Sequence, residues 1–183
     1  MPISVKTPLN SSTAGSLKAG DRVMISGVIY TARDAAHKRL IEMMKKGEEL
    51  PLTLEGQIIY YVGPCPAKPG QAIGSAGPTT SGRMDAYAPA LLDRGLKGMI
   101  GKGLRSKSVV DSIVKNNAVY FASIGGAGAL LAESIKEAEV VAFPELGAEA
   151  IYKLTVENFP ATVVIDSRGD DLYAIGKDKY KKG

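Results

Sequence analysis

The sequence predicts an α/β fold in which a mixed central sheet is flanked by helices. Arg22–Thr31 is a β-branched, apolar run typical of a buried strand, and a helical pattern follows it at residues 34–46. Further strand-like segments between residues 140 and 166 follow one another without helices, which indicates a mixed sheet. With 45% hydrophobic and 23% charged residues, the composition suits one globular domain over residues 1–183.

The elements are expected in the following order. Residues 1–19 form a short strand and a loop, and the helix at 34–46 uses Leu40, Ile41, Met43 and Met44 as its apolar face before Gly47 ends it. Further helices are expected at 81–94, 107–116 and 129–134. Further strands are expected at 57–62, 72–76, 98–100, 118–124, 140–143, 151–157, 162–166 and 172–173.

Charge and cysteine content exclude several classes of protein. The net charge is +4, part of it from a lysine-rich tail at 177–182 that we expect to be solvated. Tryptophan is absent and the tyrosines are scattered, so a nucleic-acid-binding stripe is not expected. No secretory signal or bilayer-spanning run is expected, and the lone Cys65 cannot form an internal disulfide, which together favour a cytoplasmic protein without a membrane partner.

The segment at residues 74–85 is rich in small residues and leads into an expected helix start. Thr79, Thr80 and Arg83 stand at that start. A helix N-cap would account for one hydroxyl, or for Ser81 instead. It does not account for the second hydroxyl or for an arginine that opposes the helix dipole, so the segment predicts a site for a small anion.

Three cations, Arg33, Arg83 and Lys102, could bind such an anion. Arg33 and His37 lie four residues apart on one helical face, and Lys102 stands between two glycines. The alternatives are a helix-start arginine, a surface or satisfied core histidine, and a solvated loop lysine. Arg33, Arg83 and Lys102 would suit a dianion if they converged, whereas Arg105 and Lys107 are expected to face solvent.

Two glycine-rich motifs lack the residues of known nucleotide sites. The loop at 101–103 is not a Walker A loop, because Leu96 replaces the required glycine and Gly103 follows the lysine. The run at 125–128 lacks the dinucleotide fingerprint and is expected to serve close packing of a helix on a strand. One cysteine and one histidine exclude a zinc or iron–sulfur site made by this chain alone.

Five segments, taken in order, resemble the class I fumarate hydratases. The resemblance is to the C-terminal half of the one-chain enzymes and to the beta subunit of the two-chain enzymes and of L(+)-tartrate dehydratase. It covers nearly the whole chain, with Gly-Pro-Thr-Thr-x-x-Arg-Met as its most specific element. The segments are residues 31–37, 59–64, 77–85, 101–106 and 145–152.

The resemblance implies a swivelling β/β/α domain of a hydro-lyase. In this family a [4Fe–4S] cluster, held by three cysteines of the larger domain or alpha subunit, acts as a Lewis acid on the substrate hydroxyl. The expected partner is therefore an alpha subunit that carries the cluster, and the alpha/beta pair is expected to form a homo-oligomer. This chain would bind no metal itself.

The resemblance also implies roles for individual residues. Arg33, Arg83 and Lys102 would bind the substrate carboxylates, and Thr80 would lie against the substrate. Thr79 is the candidate base for the C3 proton, although a threonine hydroxyl needs neighbouring cations to favour its alkoxide. His37 is the other candidate for proton transfer.

Three functions remain open. The preferred one is reversible hydration of fumarate to (S)-malate, because the segments at 81–85 and 147–161 look closer to the fumarate enzymes. The second is dehydration of L(+)-tartrate by the same residues. The third is a binding module for small dicarboxylates that has no catalytic activity.

Overall fold

The computed structural model describes residues 1–123 and 128–181. The strands are β1 Ile3–Lys6, β2 Arg22–Thr31, β3 Ile58–Tyr60, β4 Gly98–Gly101, β5 Val119–Ala122, β6 Ile135–Ala142 and β7 Ile151–Ile165. The α-helices are α1 Ser11–Ser16, α2 Asp34–Lys45, α3 Ala88–Asp93, α4 Lys107–Lys115, α5 Gly128–Glu133 and α6 Leu172–Lys181. Two short 3₁₀-helices span Ser81–Met84 and Pro144–Glu149.

All seven of these strands join one mixed sheet, in the order β1-β2-β3-β4-β5-β7-β6. The strands from β1 to β5 are parallel, and β7 runs antiparallel to β5, β6 and β2. Because β7 pairs with both β2 and β5, the strands β2, β3, β4, β5 and β7 close into a five-stranded ring. The mixed α/β fold class is confirmed, whereas the ring closure had no local signal in the sequence.

Alternation along the strands separates two cores. Ile58 and Tyr60 face one core, while Ile59 and Tyr61 face the other, as the two-residue period of a strand requires. The first core receives side chains from every strand of the ring, among them Ile29, Ile58, Ile100, Phe121 and Phe159. The second packs the outer face of the ring against helices α2, α3 and α4 through residues such as Leu40, Met99, Leu91 and Ile113.

The parallel strands end together at one edge of the sheet. Thr31 of β2 pairs with Tyr60 of β3, and Tyr60 pairs with Ile100 of β4. Gly101 of β4 and Ala122 of β5 pair one residue further along. The loops that leave these carboxyl ends therefore lie at one edge of the sheet.

Two expected strands near the C-terminus prove to be one. The segments 151–157 and 162–166 belong to the continuous strand β7. Asn158 takes a φ of 52° where the β2–β7 register shifts between Ile25 and Gly27, and Gly27 has a φ of 121°. A β-bulge thus interrupts the pairing there without ending the strand.

Several other boundaries differ from the prediction. The expected strand at 172–173 is the start of α6, and the expected strand at 72–76 does not form. The expected loop at 10–16 contains α1, which Asn10 caps by accepting a 2.8 Å hydrogen bond from the Thr13 amide. The expected helix at 81–94 divides into a 3₁₀-helix and α3, because Pro89 begins a new helix.

Some predictions fall partly outside the described residues. These are Ile124, the last residue of the strand expected at 118–124, and the first three residues of the glycine-rich run at 125–128. Gly128 itself packs closely on the preceding loop, since a β-carbon there would lie 2.8 Å from the Gly77 amide nitrogen. The lysine-rich tail is helical as far as residue 181, and residues 182 and 183 are not described. Among the helices of the described ranges, none has the length and apolar character to cross a bilayer.

Candidate functional site

The predicted site residues other than His37 belong to segments that lie at the carboxyl edge of the parallel strands. Arg33 follows β2, Lys102 follows β4, and the loop carrying Thr79 and Thr80 returns to the edge between them. The Thr79 amide donates a 2.7 Å hydrogen bond to the Tyr61 carbonyl. Thr80 forms a parallel bridge with Lys102, and the next amide, of Ser81, donates a 2.8 Å bond to the Lys102 carbonyl. The threonine loop is therefore held like an added strand beside β4.

The helix N-terminus expected at this loop is not an α-helical one. Only the four-residue 3₁₀-helix Ser81–Met84 follows Thr80, and the Thr80 side chain makes no capping hydrogen bond. The expectation that an α-helix dipole contributes to an anion site at this loop was therefore wrong, because a four-residue 3₁₀-helix carries little dipole. Thr79 is half-buried and Thr80 is exposed.

Two arginines share one carboxylate. Arg83 donates a 2.9 Å hydrogen bond from Nε to Oδ2 of Asp34, and its Nη2 lies 2.8 Å from the same oxygen in an ion pair. Arg33 Nε lies 4.0 Å from Oδ1 of the same residue and 3.8 Å from Oε1 of Glu149. Asp34 opens α2, where its charge suits the helix dipole, so the sequence predicted only a helix start there. The structure adds Asp34 and Glu149 to the site.

Gly63 leaves the space that Arg33 occupies. A β-carbon at Gly63 would lie 3.1 Å from Arg33 Cδ and 3.2 Å from its Nη1. The Arg33 side chain is 26% exposed, whereas that of Arg83 is 54% exposed. Arg33 is therefore the more confined of the two cations, while Arg83 reaches toward solvent.

Lys102 is exposed beside Thr80. Its side chain forms no ion pair within residues 1–123 and 128–181. Because its backbone is held by the Thr80 bridge and Gly103 follows with a φ of 88°, the loop turns sharply just after the lysine. The ammonium group is thus presented at the edge without an internal partner in the described part of the chain.

His37 is buried, not exposed at the edge. Its Nδ1 lies 2.8 Å from the Arg33 carbonyl, which can only accept, so Nδ1 carries the proton. The ring packs edge-on against Tyr61 and stacks with Tyr87, at centroid distances of 5.5 and 5.9 Å. Burial first, and the charge of Arg105 second among the lowering causes, reduce the pKa of His37 to about 4. The imidazole is therefore neutral near pH 7.

Arg105 was expected to face solvent, and this expectation was wrong. Its side chain has no exposed surface, and its Nε donates a 2.7 Å bond to Asp85. The guanidinium lies 5.2 Å from the ring centroid of Tyr61 and 4.8 Å from that of Tyr120. Burial opposes its charge, but the contacts with Tyr61 and Asp85 raise the pKa of Arg105 above its ordinary value. Lys107, by contrast, is 88% exposed as expected.

Comparison with known proteins decides the family. The family described as "Fumarase C-terminus" matches residues 1–176. The chain belongs to this Fumarase C-terminus family. The resemblance read from the five sequence segments is thereby confirmed.

Three relatives illustrate the range of the family. Fumarate hydratase 2 of Leishmania major is 47% identical over 157 residues, which are 85% of this chain and 28% of that protein. The anaerobic class I fumarate hydratase of Escherichia coli (strain K12) is 46% identical over 154 residues, 83% of this chain and 28% of that protein. A Methanocaldococcus jannaschii protein provisionally named L(+)-tartrate dehydratase subunit beta is 40% identical over 181 residues.

The length covered differs between these relatives. The chain spans just over a quarter of each of the two fumarate hydratases, at 28% of their length. It matches 93% of the tartrate dehydratase subunit beta, and that match takes in 95% of this chain. The Fumarase C-terminus family thus includes long proteins that contain this domain and short ones that consist mainly of it.

A cysteine-bound iron–sulfur cluster does not fit the residues of this chain. Such clusters are held by several thiolates, commonly about four. The sequence has one cysteine, Cys65, which is exposed in the loop after β3. Across residues 1–123 and 128–181, no three His, Cys, Asp or Glu side chains lie close enough together to hold a metal ion. A cysteine-bound cluster would need thiolates that this chain does not have.

Proposed function

We propose that this domain, residues 1–183, supplies the dicarboxylate-binding and proton-transfer residues of a hydro-lyase that interconverts fumarate and (S)-malate. One observation supports the proposal: Arg33 and Lys102 follow strands that end at one edge of the sheet. Arg83 shares Asp34 with Arg33, and Thr80 of the Thr79–Thr80 loop bridges Lys102. This arrangement occurs in a member of a family whose long relatives are named fumarate hydratases.

The cations account for binding of a dianion. Arg33, Arg83 and Lys102 face two carboxylates of the protein, Asp34 and Glu149, so the edge keeps a positive excess. Each guanidinium carries five N–H donors in a fixed fork, which suits bidentate binding of a carboxylate. Asp34 uses only part of the Arg83 fork, leaving donors for one substrate carboxylate. Lys102 and Arg33 serve the other, and Thr80 lies against the bound substrate.

The proton balance of the reaction calls for one acid–base group near the substrate C3. Dehydration of malate removes the C3 proton and the C2 hydroxyl, and hydration of fumarate returns them. In our proposal Thr79 takes this proton. Its hydroxyl has a high ordinary pKa, and the adjacent cations stabilise the alkoxide electrostatically.

Burial of His37 favours Thr79 over His37 as the proton carrier. Within the described residues the Nε2 atom of His37 is buried and has no hydrogen-bond partner. An imidazole whose pKa lies at about 4 is also a weak base near pH 7. His37 remains the second candidate, because a partner surface could change its access to substrate.

The partner in this proposal carries the [4Fe–4S] cluster. It is an alpha subunit, or the corresponding larger part of a one-chain enzyme, and the alpha/beta pair forms a homo-oligomer. An exposed, unpaired Cys65 is compatible with a reducing compartment, which supports a cytoplasmic location.

The proposal is tested by anaerobic assays on fumarate with this chain alone and with its cluster-bearing partner. We expect hydration only in the mixture. Thr79→Val should lower kcat by a factor of about 10² or more, as expected for loss of a general base, while His37→Asn should leave most of kcat. Arg83→Met should lower kcat/KM by about 10²-fold, since it leaves a substrate carboxylate unpaired. Full activity of both Thr79→Val and Arg83→Met would refute the assignment.

Dehydration of L(+)-tartrate is the second candidate. It is favoured by the Methanocaldococcus jannaschii relative, of which this chain matches 93%. The two substrates differ in hydroxyl groups and share both carboxylates, so the same three cations would serve. Parallel assays on fumarate and L-tartrate decide between them by the ratio of kcat/KM. Dicarboxylate binding without activity on either would instead favour a binding module.

A further inference from the structure

A buried cluster beneath the candidate site connects the two loops that carry its polar residues. Tyr120, on β5, places its hydroxyl 2.8 Å from Ser81 Oγ and 2.8 Å from the Gly103 carbonyl. One hydroxyl hydrogen serves only one acceptor, and a carbonyl cannot donate. Tyr120 therefore donates to Gly103 while Ser81 Oγ donates to Tyr120.

The two residues that hydrogen-bond to Tyr120 are each next in sequence to a residue of the candidate site. Ser81 follows Thr80, and Gly103 follows Lys102. A single phenolic oxygen therefore sets the spacing between the threonine loop and the lysine loop from below. Burial raises the pKa of Tyr120, so its hydroxyl keeps the proton that this bridge requires.

The ring of Tyr120 is itself held in place. Arg105 lies over it at 4.8 Å and is anchored by Asp85, which also accepts a 2.7 Å hydrogen bond from the Ser106 amide. Gly101 permits the close packing above, because a β-carbon there would collide with Ser81 and Tyr61. The phenol thus has little freedom to follow a displaced loop.

We propose that Tyr120 is a positioning residue, whose hydroxyl holds Thr79–Thr80 and Lys102 in the mutual geometry needed to bind and deprotonate the substrate. The inference rests on the proposed function and deepens it. Small misplacements of catalytic groups are costly, and about 1 Å can lower the rate by 10²-fold. Tyr120 acts through its two neighbours and does not itself contact the substrate.

The test uses Tyr120→Phe in the full enzyme with its partner. The ring and its contact with Arg105 remain, and only the bridging oxygen is removed. We expect kcat/KM to fall by about ten- to a hundred-fold. Ser134→Ala is the matched control, because it removes a buried hydroxyl-to-carbonyl bond of 2.6 Å to Leu131, away from the edge. That variant should lose comparable stability but no activity.

A readout independent of activity separates this inference from the proposed function. Hydrogen exchange of the Ser81 amide, which bonds the Lys102 carbonyl, should accelerate at least tenfold in Tyr120→Phe and stay unchanged in Ser134→Ala. Adding Ser81→Ala to Tyr120→Phe should cause little further loss of kcat/KM, since both act on one bridge.

The outcomes of these measurements test the role of Tyr120 separately from the proposed reaction. Unchanged exchange at Ser81, or full additivity of the two kinetic effects, would overturn the role of Tyr120 even if the enzyme hydrates fumarate. Equal kinetic losses in Tyr120→Phe and Ser134→Ala would reduce it to a structural residue and overturn it likewise. An inactive wild-type complex with faster Ser81 exchange in Tyr120→Phe would support the bridge and refute the proposed reaction instead.

Discussion

Lowering the pH from 7.5 to 5 should destabilise the folded chain through His37. The chain has one histidine, so its titration can be followed without overlap from others. In the fold this ring is 1% exposed, and burial lowers its pKa from 6.5 to about 4. In the unfolded chain the ring is hydrated and protonates near its ordinary pKa of about 6.5.

The sign follows from which state binds the proton. Well above pH 6.5 neither state is protonated at His37, and the stability is full. As the pH falls from 6.5 toward 4, the unfolded chain takes up a proton that the folded chain does not, so stability is lost. With these two pKa values, the loss is about 2 kcal/mol at pH 5 and approaches about 3 kcal/mol below pH 4.

The measurement is urea unfolding of the full chain at a series of pH values between 7.5 and 4.5. Other groups also titrate there, so the comparison is with His37→Asn, whose amide can still donate to the Arg33 carbonyl but does not titrate. The difference between the two stability curves should contain the His37 contribution. A proton NMR titration of the single imidazole gives its pKa directly.

A folded imidazole that titrated near pH 6.5 would contradict the lowered pKa of His37. Parallel losses of stability in the wild type and His37→Asn over this pH range would contradict it as well. Either result would mean that His37 reaches solvent in the folded chain. The burial argument against His37 as a weak, inaccessible base would then be withdrawn.

Three further predictions concern side chains whose environment the fold decides. Arg105→Met should lower the free energy of unfolding by about 3 kcal/mol, because it leaves the Asp85 carboxylate of the ion pair without its partner. The control is Lys107→Met, two residues away and 88% exposed, which should leave the urea midpoint unchanged. Equal midpoints for these two variants would contradict the burial of Arg105. Asp166→Asn should cost about 2 kcal/mol at pH 7, because the carboxylate accepts three backbone N–H bonds, and thermal unfolding would measure it. Its pKa is lowered by those bonds although burial opposes them, so the destabilisation should shrink on acidification below about pH 4. Gly101→Ala should displace Ser81 and reduce both stability and kcat/KM. A fully active variant would show that Gly101 does not pack tightly against Ser81.

Several elements could be predicted from local pattern. The run Arg22–Thr31 forms a strand as predicted, and the expected helices at 34–46 and 107–116 match α2 and α4 to within a residue at each end. These signals are local, since apolar spacing and helix-ending residues act within one or two turns of chain. The ligand-binding role read from the residue types of Thr79, Thr80 and Arg83 stays a prediction.

The boundary expected between residues 157 and 162 failed because it depended on pairing with a distant strand. The continuation of β7 through Asn158 is decided by its pairing with β2, more than 100 residues earlier. Closure of the ring needs β7 to meet β2 and β5 together. Neither contact leaves a pattern in a short window of sequence, since pairing energy comes from the partner strand.

By itself, the sequence determined the family and the mixed α/β class, and it predicted polar residues for a candidate site. Only the tertiary structure decided which charges are buried. Arg105 and Lys107 are two cations two residues apart, yet one lies between tyrosine rings and the other in water. His37 is neutral because the fold buries it, and Asp34 lies between two arginines because the fold brings Arg83 to the start of α2. Burial and charge pairing arise where segments remote in sequence meet, and so they are properties of the fold.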